Sequence, residues 1–373
     1  MRRYYLAAHL YIGLFFGVIF SVIGLSGSIL VYYPEIDRLI NPELSKGWTL
    51  SSDRSYQEVF DTLQKAFPER MGPWRIEIPR APEQPIFARY LRPEERDPSE
   101  FAPLVVAIDP EELSVINARF WGDYFVTWIY DLHYSFLIGG FGKLIVSAVG
   151  VFFLVSVLLG IYLWMPRKTP ISQRLLPRRG SGFSKGIYDL HALTGLYCSV
   201  LLILASVTGI GLGSPQWIEP LVNGISERWE SPVLASEIPQ QSASRIGMDT
   251  AIKVALEVFP AAEVRWIQSP VAVTDVYMVR LKQPGELSDR FPKTFVWVDQ
   301  FNGSVIAMRD AHAVFAGDKF FDWLHPIHNG EALGDIGRMI AFAIGFVPLS
   351  MFLTGLLWWR RKQQAKKDKP RLC

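Results

Sequence analysis

The chain has 373 residues, half of them apolar and 13% aromatic, and its formal net charge is only +2. A nearly neutral chain has no bulk electrostatic field to attract a polyanion, so no nucleic-acid partner is expected. The distribution of the charged residues along the chain is more informative than their sum.

Four stretches contain no Asp, Glu, Lys or Arg for at least 21 residues: Tyr4–Pro34, Leu144–Pro166, Leu190–Ile218 and Met339–Trp359. About 20 apolar residues cross the hydrocarbon layer as a helix, so the sequence predicts four transmembrane helices. The first uncharged run is longer than the apolar core of a signal peptide, and it is expected to remain attached as a span.

The basic residues predict the orientation of these helices. The loop between the second and third spans contains six of them and no acid: Arg167, Lys168, Arg174, Arg178, Arg179 and Lys185. The C-terminal tail is also strongly basic. Because cytoplasmic loops are enriched in Lys and Arg, both termini and this loop are expected in the cytoplasm of a bacterial inner membrane. The two long connections would then be periplasmic.

The chain also repeats itself. The segment from His9 to Gly27 aligns with that from His191 to Gly209, and His133, Gly160 and Trp164 align without a gap with His328, Gly355 and Trp359. Each half therefore reads as helix, external domain, helix. Equivalent helices run the same way, so the halves should form two parallel repeats about a pseudo-twofold axis along the membrane normal.

Each external segment is predicted to be a small α+β domain. Ser55 and Glu58 form a capping box that opens a helix. Asp249 is expected to cap the equivalent helix, with Ile252, Leu256 and Phe259 facing inward. Asn302-Gly303 predicts a hairpin turn. The predicted strands are Trp74–Ile78, Phe87–Leu91, Leu104–Ile108, Val276–Leu281, Thr294–Val298 and Ser304–Ala307.

The predicted fold class is thus a membrane α-helical protein with two small external α+β domains. The predicted boundaries are 4–34, 143–166, 187–213 and 335–359 for the spans, 35–119 and 214–311 for the external domains, 120–142 and 312–334 for interfacial aromatic segments, and 167–186 and 360–373 for the cytoplasmic loop and tail.

Four of the six histidines form repeat pairs, His9 with His191 and His133 with His328. An ionisable side chain at membrane depth is unfavourable and suggests a function. If both members of a pair face the pseudo-twofold axis, their imidazoles approach one space from opposite sides, which suits a haem with two axial ligands. The alternative is that these histidines are hydrogen-bonded interface residues at helix ends.

Glycines follow the helical histidines at regular intervals. Gly13 and Gly195 lie one turn after His9 and His191, on the same helix face, where a missing side chain would leave room for a porphyrin. Gly27 and Gly209 lie five turns on, near the predicted second haem. Ordinary close helix packing through small residues would explain the glycines equally well.

The remaining two histidines are weaker candidates. His325 is three residues before His328 and could replace it as the ligand, although its repeat partner is Tyr130. His312 has no repeat partner and is expected to be structural or near a substrate. No Walker loop, HExxH motif or dinucleotide fingerprint indicates another chemistry.

These helix and strand motifs resemble the PepSY-associated transmembrane family. The external units ending in Ile108-Asp109-Pro110 and in Val298-Asp299 are similar to PepSY domains. The His-x3-Gly helices and the Leu132-His133 and Leu324-His325 segments resemble the family's helices. Within the family, the chain resembles inner-membrane ferric-siderophore reductases of the ferrioxamine type. The resemblance implies haem b, and it implies that iron is reductively released from siderophores in the periplasm.

The leading hypothesis is an inner-membrane oxidoreductase with two haem b groups that reduces ferric siderophores. Its electron donor would be a cytoplasmic flavin reductase or a membrane quinol. The alternatives are a haem-free PepSY membrane protein that binds peptides or regulates proteases, and a quinol-linked cytochrome b with a non-iron acceptor. A transporter is disfavoured because no predicted span contains an acidic residue to couple ions.

Overall fold

A computed structural model describes residues 1–48, 55–81, 84–98, 100–165, 170–178, 182–239 and 244–367. The chain divides into two compact units. The helical unit comprises Met1–Tyr32, Ile129–Ile218 and Ile327–Cys373, and the sheet unit comprises Tyr33–Trp128 and Glu219–Pro326. Of the predicted cytoplasmic segments, Arg167, Lys168 and Arg179 lie outside the described residues, as does the tail beyond Lys367.

Twelve α-helices and eight β-strands are formed within these ranges. The helices are α1 (Arg2–Val31), α2 (Tyr33–Ile40), α3 (Tyr56–Ala66), α4 (Phe125–Ser135), α5 (Gly139–Trp164), α6 (Phe183–Tyr197), α7 (Ser199–Gly213), α8 (Glu219–Asn223), α9 (Met248–Val258), α10 (Ala316–His328), α11 (Gly334–Ile344) and α12 (Val347–Lys367). The strands are β1 (Trp74–Glu77), β2 (Ile86–Tyr90), β3 (Leu104–Ile108), β4 (Val115–Phe120), β5 (Glu263–Gln268), β6 (Val276–Lys282), β7 (Thr294–Asp299) and β8 (Val305–Arg309).

Three helical segments of the helical unit are long and apolar enough to cross a membrane by themselves: Arg2–Val31, Gly139–Trp164 and Glu331–Lys367. Helices α6 and α7 are separated by a bend of 57° at Cys198, and they qualify as a fourth span only if they are taken together. The Ser199 hydroxyl donates to the Leu196 carbonyl at 2.7 Å, and such side-chain bonds to the preceding turn bend helices. The chain is therefore a membrane protein.

Small residues let two of these helices approach closely. A side chain at Gly24 of α1 would collide with the Gly345 carbonyl, and one at Gly345 would collide with Ser28. The Ser28 hydroxyl also donates to the Phe342 carbonyl at 2.7 Å. Without water to drive helices together, close backbone approach and such hydrogen bonds hold membrane helices against each other.

The strands of both external segments form one antiparallel sheet in the order β4-β3-β2-β1-β5-β6-β7-β8. The N-terminal half contributes β1–β4 and the C-terminal half β5–β8, and the halves meet where Ile76 of β1 pairs with Ile267 of β5. The prediction of two separate domains is corrected accordingly, since the repeats are joined in one unit. The physical reason is that each half alone would leave β1 or β5 as an unpaired edge.

Helices α3 and α9 pack on one face of this sheet and enclose its apolar core. Val59 and Leu63 of α3 are fully buried against Trp74, Ile76 and Ile267. The face that α9 buries differs from the prediction, because its fully buried residues are Met248, Ala251 and Ala255. The expected residues Ile252, Leu256 and Phe259 are only partly buried at the margin of the core.

The caps of α3 and α9 are exchanged between the halves. Ser55 accepts from the Glu58 amide, as the capping box predicts. Asp249, however, does not cap its own helix: its carboxylate accepts the Tyr56 and Gln57 amides of α3, at 2.8 and 3.3 Å. In return, the Gln57 side chain accepts the Met248 amide of α9 at 2.9 Å. Only the tertiary contact of the two helices makes this exchange possible.

The six predicted strands are present with small shifts of their ends, and Asn302-Gly303 forms the expected turn, with Gly303 at φ +74°. Two strands were not predicted. In β5 a bulge between Val264 and Trp266 interrupts the alternation of apolar residues. β4 is an edge strand in which no residue is fully buried. Its sequence therefore lacks the alternation of buried apolar and exposed polar residues by which a strand is predicted.

Candidate functional site

The helical unit brings both predicted histidine pairs together. The rings of His9 on α1 and His191 on α6 have centroids 6.2 Å apart and planes at 77°. The rings of His133 on α4 and His328 on α10 have centroids 6.1 Å apart and planes at 51°. We call these the inner pair and the outer pair. The repeat therefore places like residues opposite each other twice, at nearly the same separation.

This separation fits two imidazoles that bind one metal from opposite sides. With about 2 Å for each metal–nitrogen bond and about 1.1 Å from that nitrogen to its ring centre, the two centres would be about 6.2 Å apart. The spacing alone is also compatible with an edge-to-face ring contact, for which centroids lie roughly 4.5–7 Å apart. The hydrogen bonds of the rings show which nitrogen of each imidazole is left without a partner among the described residues.

In every one of the four rings, Nδ1 faces an acceptor on another helix. The contacts are His9 with the Ser156 carbonyl at 3.0 Å, His133 with the Ile23 carbonyl at 3.0 Å, His191 with the Thr354 hydroxyl at 3.0 Å and His328 with the Thr208 hydroxyl at 2.9 Å. The two threonine hydroxyls donate their own protons to helix carbonyls, of Ser350 and of Leu204. Each Nδ1 must therefore be the donor.

A neutral imidazole that donates from Nδ1 has its lone pair on Nε2. None of the four Nε2 atoms forms a hydrogen bond with any described residue. A metal-binding histidine commonly donates its other nitrogen in this way, because the bond fixes the tautomer and the ring orientation. Each of the four rings is thus held through Nδ1, and in the neutral form of the ring its Nε2 is available to bind a metal.

A glycine of a neighbouring helix makes room for each ring. A Cβ atom built on Gly27 of α1 would lie 2.9 Å from His133 Cε1, and one on Gly209 of α7 would lie 3.1 Å from His328 Cε1. For the inner pair the glycines are Gly160 of α5 and Gly355 of α12, each with a Cβ 3.3 Å from the ring of His9 or His191. We call these four residues the seat glycines.

These contacts give two predicted glycines a different role. Gly27 and Gly209 were predicted to lie near a second haem, and the contact shown here is with the imidazoles of the outer pair, for which they make room. Gly13 fits the expectation better, since a Cβ there would meet nothing within 4 Å. A Cβ at Gly195 would lie 2.9 Å from the Met351 terminal methyl group, so this glycine allows a flexible side chain to approach.

A cavity of about 690 Å³ adjoins the inner pair and is lined by both of its histidines, by Gly13 and Gly195 and by two of the seat glycines. Organic cofactors occupy cavities of roughly 300–1,000 Å³. Most of the walls are apolar, and four basic side chains also line the cavity: Arg2, Arg3, Lys362 and Lys366. The space therefore suits a largely apolar group that has acidic substituents.

The remaining histidines lie elsewhere. His325 belongs to the sheet unit, where its ring contacts that of Phe291 edge-to-face, with centroids 4.6 Å apart. The ring that faces His133 is that of His328, as the repeat indicated. His312 is near the Pro284 carbonyl, 3.1 Å from its Nε2. Within the described residues, no group of three or more His, Cys, Asp or Glu side chains could hold a bare metal ion.

The residues that orient the histidines were not predicted from the sequence, although a signal was present. A Ser-Gly or Thr-Gly dipeptide occurs at three of the four rings: Ser26-Gly27, Thr208-Gly209 and Thr354-Gly355. In each dipeptide the hydroxyl contacts Nδ1 and the glycine makes room for the ring. At the fourth ring, that of His9, Ser156 lies one turn before Gly160. The Ser156 hydroxyl contacts Nδ1 and Gly160 makes room for the ring.

Comparison with known families agrees with the fold. The chain matches the family described as the PepSY-associated TM region over residues 6–362, which is nearly its full length. A search among curated proteins finds no match. The chain therefore belongs to the PepSY-associated transmembrane family.

Proposed function

We propose that the protein is a haem-containing reductase of the bacterial inner membrane that passes electrons across the membrane to Fe(III) in periplasmic siderophores. The observation that carries this proposal is the duplicated arrangement of imidazoles. Two pairs of rings, 6.2 and 6.1 Å apart, have Nδ1 engaged and Nε2 free. A purely structural role would need neither the matched separation nor the shared tautomer.

Each pair would hold one haem b through its Nε2 atoms, His9 with His191 and His133 with His328. A bound haem supplies a one-electron Fe(III)/Fe(II) couple, whose potential depends on the axial ligands and their hydrogen bonds. The protein's own contribution is to hold the imidazoles. The Nδ1 acceptors fix the rotation of each ring, and the seat glycines allow the ring to lie against a neighbouring backbone.

The basic residues of the inner cavity support haem over an uncharged ligand. Haem b has two propionate carboxylates, and carboxylates in a largely apolar cavity require positive partners. Arg2, Arg3, Lys362 and Lys366 are available for this role, and the Arg2 guanidinium also donates to the Leu163 carbonyl at 2.6 Å. These residues come from the first and last membrane helices, near the predicted cytoplasmic ends.

The proposed topology has four spans, with α6 and α7 together forming the third in chain order. Both termini would lie in the cytoplasm, and the sheet unit, with its two PepSY-like halves, would lie in the periplasm. The basic loop residues Arg174, Arg178 and Lys185 and the basic end of α12 support this orientation. The inner pair would then lie on the cytoplasmic side and the outer pair on the periplasmic side.

The proposed substrate is the iron of a ferric siderophore. One electron from the donor converts bound Fe(III) to Fe(II), which the hard oxygen ligands of a siderophore hold much more weakly, so the metal is released. The donor would be a cytoplasmic flavin reductase or a membrane quinol, and it is oxidised by one electron for each iron reduced. No bond of the siderophore itself needs to break.

The test is a visible spectrum of the purified full-length protein, followed by reduction with dithionite and anaerobic addition of a ferric siderophore. We expect a Soret band, reduced α bands, and reoxidation of the haem that matches the appearance of Fe(II) trapped by a ferrous chelator. The His9→Ala/His191→Ala double variant should retain at most the outer haem and should no longer accept electrons from the cytoplasmic side.

Two outcomes would contradict the proposal. A protein without a Soret band, after expression with excess haem precursor, would favour a haem-free binding or regulatory role. A reduced haem that reacts with other acceptors but not with ferric chelates would favour a cytochrome b with a non-iron acceptor. The His325→Ala variant is the matched control, since His325 contacts Phe291 in the sheet unit and should not alter the spectrum.

A further inference from the structure

The face of the sheet opposite α3 and α9 carries a row of arginines. Alternate residues of a strand point to opposite faces, and Ile76, Ile267 and Val279 point into the core. The residues paired across the opposite face include five arginines, one from each of five strands: Arg119 (β4), Arg89 (β2), Arg75 (β1), Arg280 (β6) and Arg309 (β8). We call this set the arginine row.

Three members of the row have an acidic partner. The ion pairs are Arg119 with Asp37 at 2.8 Å, Arg89 with Glu77 at 2.6 Å and Arg309 with Asp322 at 2.8 Å. The two central members, Arg75 and Arg280, do not. Arg75 donates to the neutral Gln268 side chain at 3.2 Å, and Arg280 forms no hydrogen bond or ion pair with any described residue.

Both central arginines lie on the same indole ring. The guanidinium carbon of Arg75 is 4.3 Å from the centroid of Trp266, and that of Arg280 is 4.0 Å from it. Arg280 also lies 4.3 Å from the centroid of Phe295. Stacking on aromatic rings fixes the plane of a guanidinium and leaves its edge available for a bidentate partner. The buried Nε atoms of both arginines lack an acceptor.

Two neighbouring cations without a direct ion-pair partner among the described residues are unfavourable in this partly buried position. Burial, followed by the charge of Arg75, lowers the pKa of Arg280 to about 9. Burial, followed by the charge of Arg89, lowers the pKa of Arg75 to about 10. Three carboxylates lie near enough to attract these arginines, but none forms an ion pair with either of them. Glu77 pairs with Arg89, Asp322 pairs with Arg309, and Glu286 accepts from the Gln283 amide and the Thr294 hydroxyl.

We propose that Arg75 and Arg280, backed by Trp266 and Phe295, form a binding site for an oxyanion, a carboxylate or phosphate group on a ligand. Guanidinium groups recognise both through paired N–H···O bonds. The group could belong to a soluble anion, such as a carboxylate-bearing chelate, or to the phosphate of a membrane lipid. The proposal is independent of haem and of iron reduction, so either could fail without the other.

The experiment uses full-length protein in nanodiscs of phosphatidylcholine at constant ionic strength. Binding of inorganic phosphate and of citrate is measured from the rise in melting temperature as the anion is added. We expect the Arg280→Gln and Arg75→Gln variants to bind roughly tenfold to a hundredfold more weakly, since each loses a charged hydrogen-bond donor. Arg280→Lys, which keeps the charge but not the fork, should lie between.

The matched control is Arg119→Gln, at the end of the row. It breaks the ion pair with Asp37 and should lower the melting temperature without anion, but it should leave the response to anion intact. In contrast, Arg280→Gln removes an unpaired charge and should not destabilise the anion-free protein. This difference separates loss of binding from loss of folding.

A second arm identifies the source of the oxyanion. The same proteins are placed in nanodiscs that contain phosphatidylglycerol, with no soluble anion added. A rise in melting temperature in these discs that Arg280→Gln and Arg75→Gln abolish would assign the site to a lipid phosphate. If the two variants abolish only the rise caused by citrate or inorganic phosphate, the site binds a soluble anion. If both variants respond like the wild type in both arms, the proposed site does not exist.

Discussion

The two halves of the chain place their histidines in equivalent surroundings but differ in other contacts. In each half, the first candidate membrane segment (α1, or α6 with α7) contributes one inner-pair histidine and a short helix contributes one outer-pair histidine. In each half the rings have an Nδ1 acceptor and a seat glycine. Elsewhere the halves have diverged: α1 is continuous whereas its equivalent bends at Cys198, and Asp249 caps the helix of the other half.

This difference shows which contacts depend on the duplication. His191 lies opposite His9 although its span is bent and that of His9 is straight, so the bend is compatible with the pairing. The geometry of the imidazoles is kept although the acceptor changes from a serine carbonyl to a threonine hydroxyl between His9 and His191. The equivalence of the halves at the histidines can therefore be tested independently of their differences.

The largest effect is expected when a histidine is removed. If the proposed haems are bound, His9→Ala and His191→Ala should each abolish the inner haem, and His133→Ala and His328→Ala the outer one. Pyridine haemochrome stoichiometry would fall from two haems to one in all four variants, because one imidazole alone cannot clamp the macrocycle from both sides. If the two single variants of one pair, such as His9→Ala and His191→Ala, lost different haems, the two halves would not be equivalent.

The next effect is graded and concerns the seat glycines. A Cβ would lie 2.9 Å from the ring at Gly27, 3.1 Å at Gly209 and 3.3 Å at Gly160 and Gly355. Haem retention and the sharpness of the reduced α band should therefore be most affected by Gly27→Ala, less by Gly209→Ala and least by the two inner variants.

Gly13→Ala is the contrasting variant in this series, because a methyl group there meets no residue within 4 Å but enters the cavity beside the inner pair. An inner haem that is lost from Gly13→Ala but retained in Gly160→Ala would show that the macrocycle, rather than the imidazole, determines where glycine is needed.

A smaller effect is expected for the Nδ1 acceptors. Thr208→Val and Thr354→Val remove the hydroxyl that accepts from His328 or His191 while preserving the shape of the side chain. A weaker acceptor makes the imidazole a poorer donor to Fe(III), so the reduction potential should rise by tens of millivolts, at about 59 mV per tenfold change in relative affinity. Potentiometric titration measures the shift for each haem separately.

Ser206→Ala provides the matched control on the same helix as Thr208. Its hydroxyl donates only to the Leu202 carbonyl and contacts no histidine, so neither potential should move. Equal shifts in Ser206→Ala and Thr208→Val would indicate a general effect on the helix and would contradict a specific role for the bond to Nδ1.

The smallest effect is expected in the exchanged caps of the sheet unit. Asp249→Ala removes the acceptor of two α3 amides and should destabilise that helix locally by about 2 kcal/mol, whereas Ser55→Ala should cost about 1 kcal/mol. Hydrogen exchange of the Tyr56–Ala66 amides reports both values. Asp61→Ala, which loses only a bond from the Gln57 side chain, should leave exchange at Tyr56 nearly unchanged.

Much of the fold could be predicted because its determinants are local. The length of an uncharged run reports whether a helix can cross a bilayer, and the alternation of apolar residues reports a half-buried strand. The internal repeat also allowed a prediction about residues distant in the chain, because equivalent residues of two repeats occupy equivalent places. It was sufficient to predict that His9 faces His191 and that His133 faces His328.

The sequence by itself thus determined the membrane character, the repeat and the pairing of the histidines, because these follow from composition, periodicity and symmetry. Tertiary structure alone decided the joining of the halves through β1 and β5 and the exchange of the Asp249 cap. These features depend on the register between elements distant in the chain. Register is set by packing across an interface, and no local pattern of residues encodes it.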